Sequence, residues 1–122
     1  MKLKLESGPD AAHRARDEIR DRFRDRVGDG ALLDLQLIVS ELVTNSARYG
    51  PGEEIEVELA LAEDGSIRGW VEDRGSGEVA IRRKADGSGG FGLRIIDAVA
   101  SSWGVHEGST HVWFEIDPDG HD

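Results

Sequence analysis

The spacing of apolar residues changes at Gly50-Pro51-Gly52, and this change limits the folds open to the chain. Before it, residues 9–27 and 32–49 place apolar side chains at three- and four-residue intervals. That spacing predicts two amphipathic helices. After it, apolar and polar residues alternate, which predicts strands that bury one face. A chain that forms helices first and a sheet mostly afterwards is typical of an α+β fold.

Alternation predicts strands over residues 2–6, 54–62, 67–73, 103–107 and 111–116, with 2–6 at a sheet edge. The turn Asp64-Gly65 joins two of them into a hairpin. A further short helix is predicted over 93–100. The expected fold is a two-layer α+β sandwich with helices on one face of a mostly antiparallel sheet. One domain is expected over 1–117, followed by a disordered tail at 118–122.

Composition excludes several classes of function. The formal net charge is −10, which opposes binding to the phosphate backbone of nucleic acids. The chain has no cysteine, so disulfide scaffolds, thiol nucleophiles and Cys-ligated zinc sites are excluded. No segment has the roughly 18 apolar residues needed to span a bilayer, and the first residues do not form a signal peptide. We therefore expect a cytoplasmic protein that contacts neither nucleic acid nor membrane.

The second predicted helix carries Glu41, Asn45 and Arg48 at spacings of four and three residues. Such spacing places the three side chains on one strip of the helix. A carboxylate, an amide oxygen and a guanidinium can act as a base, a ligand for a hard metal ion and a phosphate contact, respectively. The strip is equally compatible with a solvated helix face held by weak local pairs.

Asp73 ends a predicted strand on the face that also carries Ile67 and Val71, so its carboxylate is expected to face the core. A buried carboxylate needs a partner, because burial of an unpaired charge is costly. The alternative is an aspartate that opens the turn Asp73-Arg74-Gly75, which is a common use of the residue.

A glycine-rich run, Gly87-Ser88-Gly89-Gly90-Phe91-Gly92, precedes the third predicted helix. Glycines let main-chain amides approach an anion at a helix N-terminus. The run contains G-x-G-x-x-G, but no buried strand precedes it and too little chain follows for a dinucleotide-binding sheet. The phosphate-binding motif G-x-x-x-x-G-K-[ST] is absent. A flexible loop remains the simple alternative for Gly87 and Gly89.

Taken together in this order, the three segments resemble the motifs of a known superfamily. Glu41 to Arg48 resembles the N-box, Asp73-Arg74-Gly75-Ser76-Gly77 the box D-x-G-x-G, and Gly90-Phe91-Gly92-Leu93 the box G-x-G-L. These are the motifs of the GHKL-type, or histidine-kinase-like, ATPases with the Bergerat fold. The wording around the boxes, over roughly 5–117, is most similar to the stand-alone anti-sigma-factor serine/threonine kinases.

The resemblance implies ATP and Mg²⁺ as cofactors and assigns a role to each motif residue. Glu41 is implied as the general base, Asn45 as the Mg²⁺ ligand and Arg48 as a further contact to the nucleotide. Asp73 is implied to accept a hydrogen bond from the adenine amino group. The other implied nucleotide-binding residues, in the two glycine boxes and the last strand, are Gly75, Gly77, Gly90, Gly92, Leu93 and Thr110.

The resemblance also implies the biological role of a regulatory kinase. Such a protein sequesters a sigma factor and phosphorylates a Ser or Thr of an antagonist, the anti-anti-sigma protein. The resemblance is compatible with a homodimer as well. Two alternatives remain: a nucleotide-dependent binding module without kinase activity, and the catalytic part of a split histidine kinase.

Overall fold

The structure, a computed structural model, describes residues 1–6, 8–49, 54–73, 91–105 and 112–117, with only the main chain described at 45–49, 73 and 91–93. The predicted order of helices and strands is confirmed. In chain order the elements are β1 (Lys2–Glu6), α1 (Ala11–Phe23), α2 (Asp29–Tyr49), β2 (Glu54–Leu61), β3 (Ile67–Asp73), α3 (Phe91–Val99), β4 (Ser102–Val105) and β5 (Val112–Ile116).

The five strands form one sheet in the order β1-β2-β3-β5-β4, and each pair of neighbours is antiparallel. This arrangement confirms the expected antiparallel sheet and places β1 at an edge. The register pairs Val57 with Val71 and Gly69 with Phe114, so apolar residues of neighbouring strands share one face. Alternation along each strand thereby gives the sheet an apolar inner face.

The three helices in the described part of the chain cover that inner face. α1 buries side chains at every fourth position, which is the spacing of a single helical stripe. Buried residues of helices and sheet form one continuous cluster, so the molecule has two layers with the core between them. The helical members of the core are Ala11, Ala15, Ile19, Phe23, Leu35, Ile38, Val39, Leu42, Val43, Ile96 and Val99.

The connection between α1 and α2 begins and ends earlier than the sequence predicts. α1 ends at Phe23 rather than near residue 27, and residues 24–26 form a turn in which the main-chain N–H groups of Arg26 and Val27 donate to the Phe23 carbonyl, at 2.8 and 3.1 Å. α2 begins at Asp29 rather than near residue 32, with an acidic residue in its first turn. A carboxylate there stabilises the positive end of the helix dipole.

The β2–β3 turn follows the chemistry that Asp64-Gly65 predicts. Gly65 has a φ of 92°, a left-handed conformation that favours glycine. The Asp64 carboxylate accepts hydrogen bonds from the Ser66 hydroxyl at 2.7 Å and the Ser66 main-chain N–H at 2.9 Å. These bonds stabilise the ionised form and hold the pKa of Asp64 below its usual value.

The outer face of the sheet is more packed than its polar sequence predicts. Glu56, expected to face solvent, is only 5% exposed, and its Oε1 lies 3.7 Å from Nζ of Lys2. Trp70 donates a hydrogen bond from Nε1 to Oε2 of Glu58 at 3.1 Å. Long side chains of neighbouring strands thus cover one another on this face.

No helix in the described part of the chain is long and apolar enough to cross a lipid bilayer.

Gly69 on the inner face of β3 provides a test of the packing. A Cβ there would lie 2.6 Å from Leu59 Cδ2 and 2.7 Å from Phe114 Cζ, so Gly69→Ala should overpack the core and lower the free energy of unfolding by about 1–3 kcal/mol. The matched control is Gly30→Ala in the first turn of α2. A Cβ there meets nothing within 4 Å, and alanine should be neutral or stabilise by up to about 1 kcal/mol. Urea unfolding of both variants measures the difference, and equal midpoints would contradict the packing described here.

Candidate functional site

The second half of α2 carries the predicted catalytic residue and the predicted metal ligand. Glu41 is half-buried, Leu42 and Val43 are buried, and Thr44 is exposed. The helix continues unbroken to Tyr49. At a rise of 1.5 Å per residue, Asn45 lies about 6 Å and Arg48 about 10 Å beyond Glu41 along the helix axis. All three predicted residues therefore lie on one continuous helix.

The position of Glu41 is set by the packing of α2. This helix contacts α1 on one side, α3 on the other and the strands β2, β3 and β5 beneath it. Leu42 and Val43 belong to the buried stripe and fix the rotation of the helix about its axis. Because Glu41 borders that stripe, its side chain lies at the boundary between the core and the exposed surface.

Asp73 is the last residue of β3. It pairs in register with the buried Ile55 and follows the buried Val71 by two positions. Ile55 is near the start of β2, which begins five residues after α2 ends at Tyr49. Five residues span at most about 18 Å, so the end of α2 and the end of β3 lie at the same end of the molecule.

The third predicted segment enters α3. Phe91, Gly92 and Leu93 form its first turn, and α3 packs against α2. The first turn of a helix leaves main-chain N–H groups without intrahelical acceptors, and the helix dipole adds partial positive charge there. Gly92 and Leu93 therefore lie in the first turn of α3, and the contact of their main-chain N–H groups with an anion stays a prediction.

Four predicted residues, Gly75, Gly77, Gly90 and Thr110, lie outside the described residues, so their roles stay predictions. Within the described ranges, no group of three or more His, Cys, Asp or Glu residues could hold a metal ion. Mg²⁺ held by the amide oxygen of Asn45 together with phosphate oxygens and waters needs no such group. The donor set on α2 therefore fits Mg²⁺ that arrives with a nucleotide.

Sequence reasoning did not anticipate the exposed apolar residues. Among the described residues, the large apolar side chains that remain exposed are Leu33 at 65%, Leu37 at 38% and Trp113 at 39%. Trp113 lies over Gly104, where a Cβ would come within 2.8 Å of its ring. The available signal was the sequence of α2, which has more leucines than one buried stripe uses.

Comparisons with known proteins agree with the geometry. A family model described as a histidine kinase-like ATPase domain matches residues 5–116. A crystal structure of the RsbU and RsbW domains of Rv1364c from Mycobacterium tuberculosis is similar, with a TM-score of 0.69 and 23% sequence identity. The match covers 99% of this chain and 32% of that one, so the chain spans about a third of that structure's chain. The search of curated proteins finds no significant match.

The similar structure supports the two-layer fold and, at this identity, the fold alone. The family model covers nearly the whole chain, including both elements that carry Glu41 and Asp73. The chain therefore belongs to the family of histidine kinase-like ATPase domains.

Proposed function

We propose that this chain is an ATP-dependent serine/threonine protein kinase of the anti-sigma-factor type. It binds ATP with Mg²⁺, phosphorylates a Ser or Thr of an antagonist protein and sequesters a sigma factor. The observation that carries the proposal is the pair Glu41 and Asn45, one turn apart on a helix whose packing is fixed, in a chain that matches the ATPase family over residues 5–116. The similar structure contains an RsbW domain, and this likeness also supports a regulatory role.

In the proposed reaction, the hydroxyl of the antagonist attacks the γ-phosphorus of ATP and ADP leaves. The new oxygen–phosphorus bond makes the antagonist a phosphate ester. Glu41 accepts the proton that the hydroxyl loses, and its carboxylate becomes a carboxylic acid. Its half-buried position suits this role, because a base must reach the substrate while staying oriented by the helix. Phosphoryl transfer depends mostly on positioning and on charge stabilisation, which a rigid helix favours.

Asn45 and the start of α3 are proposed to hold the phosphates. Asn45 presents an amide oxygen to Mg²⁺, and Arg48 adds a cation one turn further along α2. Main-chain amides at Gly90, Gly92 and Leu93 donate to phosphate oxygens. Mg²⁺, when bound, neutralises charge that develops on those oxygens. These groups offset the repulsion between a triphosphate and a chain of net charge −10.

The adenine is proposed to bind at the end of β3. Asp73 accepts a hydrogen bond from the adenine amino group, while Gly75 and Gly77 let the main chain pass close to the base. Thr110 is proposed to line the same pocket. The motivation is the antiparallel pairing of Val71 with Val112. Asp73 follows Val71 by two residues and Thr110 precedes Val112 by two residues, so the same register would set Asp73 opposite Thr110.

Adenine selectivity tests the role of Asp73. We expect ATP to bind more tightly than GTP, because guanine presents a carbonyl oxygen to the carboxylate where adenine presents an amino group. Asp73→Asn should weaken ATP binding by roughly 10- to 100-fold, the usual effect of losing a hydrogen bond to a charged group. Calorimetry with Mg²⁺ measures both effects, with Asp25→Asn, on the exposed turn after α1, as the matched control. Equal affinity for ATP and GTP would contradict the assignment.

The role of Glu41 separates binding from chemistry. Glu41→Gln keeps the shape of the side chain and removes the base, so phosphotransfer should fall by roughly 100- to 10,000-fold. ATP affinity should stay within about twofold of the parent, because the residue acts on the transition state. Transfer from radiolabelled ATP to antagonist proteins of the same organism measures the rate. Glu63→Gln, in the exposed β2–β3 turn, is the control for the same change of charge elsewhere.

The same assays distinguish the alternatives. A parent protein that binds ATP, binds its antagonist and transfers no phosphate would be a nucleotide-dependent binding module. Transfer to a histidine, recognised by its lability in acid, would indicate part of a split histidine kinase. Full phosphotransfer by the Glu41→Gln variant would exclude Glu41 as the base.

A further inference from the structure

An open groove of about 310 Å³ runs between α1 and α2. We call it the α1–α2 groove. The residues that matter for its chemistry are His13, Arg16 and Arg20 on α1, and Leu33, Leu37 and Ser40 on α2. One wall is therefore basic and the other is apolar.

The apolar wall consists of leucines that the core does not use. Leu33 and Leu37 are 65% and 38% exposed, whereas their neighbours Leu35 and Ile38 are fully buried in the core. Two leucines one turn apart present adjacent apolar surfaces along the outer side of α2. Side chains at this spacing suit the apolar face of a second helix, which presents its own residues at three- and four-residue intervals.

The basic wall carries charge opposite to that of the molecule as a whole. His13, Arg16 and Arg20 follow one another at spacings of three and four on α1. Asp17 lies 3.3 Å from both His13 and Arg20, and Asp21 lies 3.6 Å from Arg20. Arg16 makes no ion pair with any other described residue, so it is the unpaired cation of the groove. The groove thus has two arginines for one carboxylate, in a chain of net charge −10. Such a local excess of positive charge favours an acidic partner.

The two walls are held at a fixed distance. Gln36 of α2 donates a hydrogen bond from Nε2 to the main-chain carbonyl of Arg16 on α1, at 3.0 Å. Beneath the groove, Ala15 and Ile19 of α1 belong to the same buried cluster as the core residues of α2. The groove is consequently formed before any partner arrives, which lowers the entropic cost of binding.

We propose that the α1–α2 groove binds an amphipathic helix of a partner protein, with the apolar residues of that helix on Leu33 and Leu37 and its acidic residues beside Arg16 and Arg20. The binding does not require nucleotide. Ser40 lines the groove and Glu41 follows it, so the bound helix lies next to the predicted base. This last consequence rests on the proposed function, whereas the docking itself does not.

A synthetic helical peptide tests the docking. The probe is a stapled peptide of about four turns, with leucines at three- and four-residue intervals and glutamates along one border. The same peptide with lysines replacing the glutamates is its control. Titration is followed by fluorescence anisotropy and by amide chemical shifts, without nucleotide. We expect the glutamate peptide to shift the amides around Leu33 and Leu37 and to bind at least about tenfold more tightly than the lysine peptide.

Variants of the chain identify the surface. Arg16→Glu should weaken binding of the glutamate peptide at least about tenfold, whereas Arg14→Glu, the same change of charge on an exposed position of α1 outside the groove, should change it less than about twofold. Leu33→Ser with Leu37→Ser should also abolish the binding. Arg16 is exposed, so the urea midpoint of Arg16→Glu should match the parent, and a cooperative urea transition of the leucine variant checks that it is folded.

Several outcomes would overturn the proposal. They are absence of binding, equal binding of the two peptides, and equal losses from Arg14→Glu and Arg16→Glu. A change of sedimentation mass in the leucine variant would assign the groove to contact between copies of this chain. Binding to phosphatidylglycerol vesicles that Arg16→Glu abolishes, without peptide binding, would assign it to a membrane surface. Since the titration contains no ATP, its failure would leave the nucleotide proposal standing, and the reverse also holds.

Discussion

Burial of one stripe of α2 between α1, α3 and the inner face of the sheet is the contact on which the rest of the structure depends. Leu35, Ile38, Val39, Leu42 and Val43 fill the centre of the core and are almost fully inaccessible to solvent. Loss of this packing would expose the inner face of the sheet and separate α1 from α3. The orientation of α2 about its axis therefore determines both which of its residues pack in the core and which remain at the surface for function.

The groove side of that stripe carries two kinds of chemistry. Leu33 and Leu37 are apolar, and Glu41 continues the same four-residue spacing towards the end of the helix. A docked partner and a phosphate group would therefore be positioned by one rigid element rather than by separate loops. Rigid positioning of two reactants is a large part of catalysis by proximity, so α2 is well suited to connect partner recognition to phosphoryl transfer.

The fold could be predicted from the sequence because its periodicities are strong and agree with one another. Gly50-Pro51-Gly52 separates helical from alternating spacing, and Asp64-Gly65 specifies a tight turn. The end of α1 could not be predicted, because Val27 continues the helical spacing although the helix ends at Phe23 and residues 24–26 form a turn. The burial of Glu56 depends on Lys2, which is distant in sequence and reaches it only through the pairing of β1 with β2. Contacts of this kind are invisible to local patterns.

The candidate site and its surroundings likewise contain features that local patterns predict and features that depend on tertiary contacts. Motif spacing placed Glu41 and Asn45 on one helix and Asp73 at the end of a strand, because both facts follow from local periodicity. The exposure of Leu33 and Leu37 depends instead on how α1 and α2 pack against each other, because Leu35 and Ile38 of the same helix are fully buried. The hydrogen bond from Gln36 to the main-chain carbonyl of Arg16 joins residues twenty positions apart in the sequence. The α1–α2 groove is thus a product of tertiary packing, which a one-dimensional pattern cannot express.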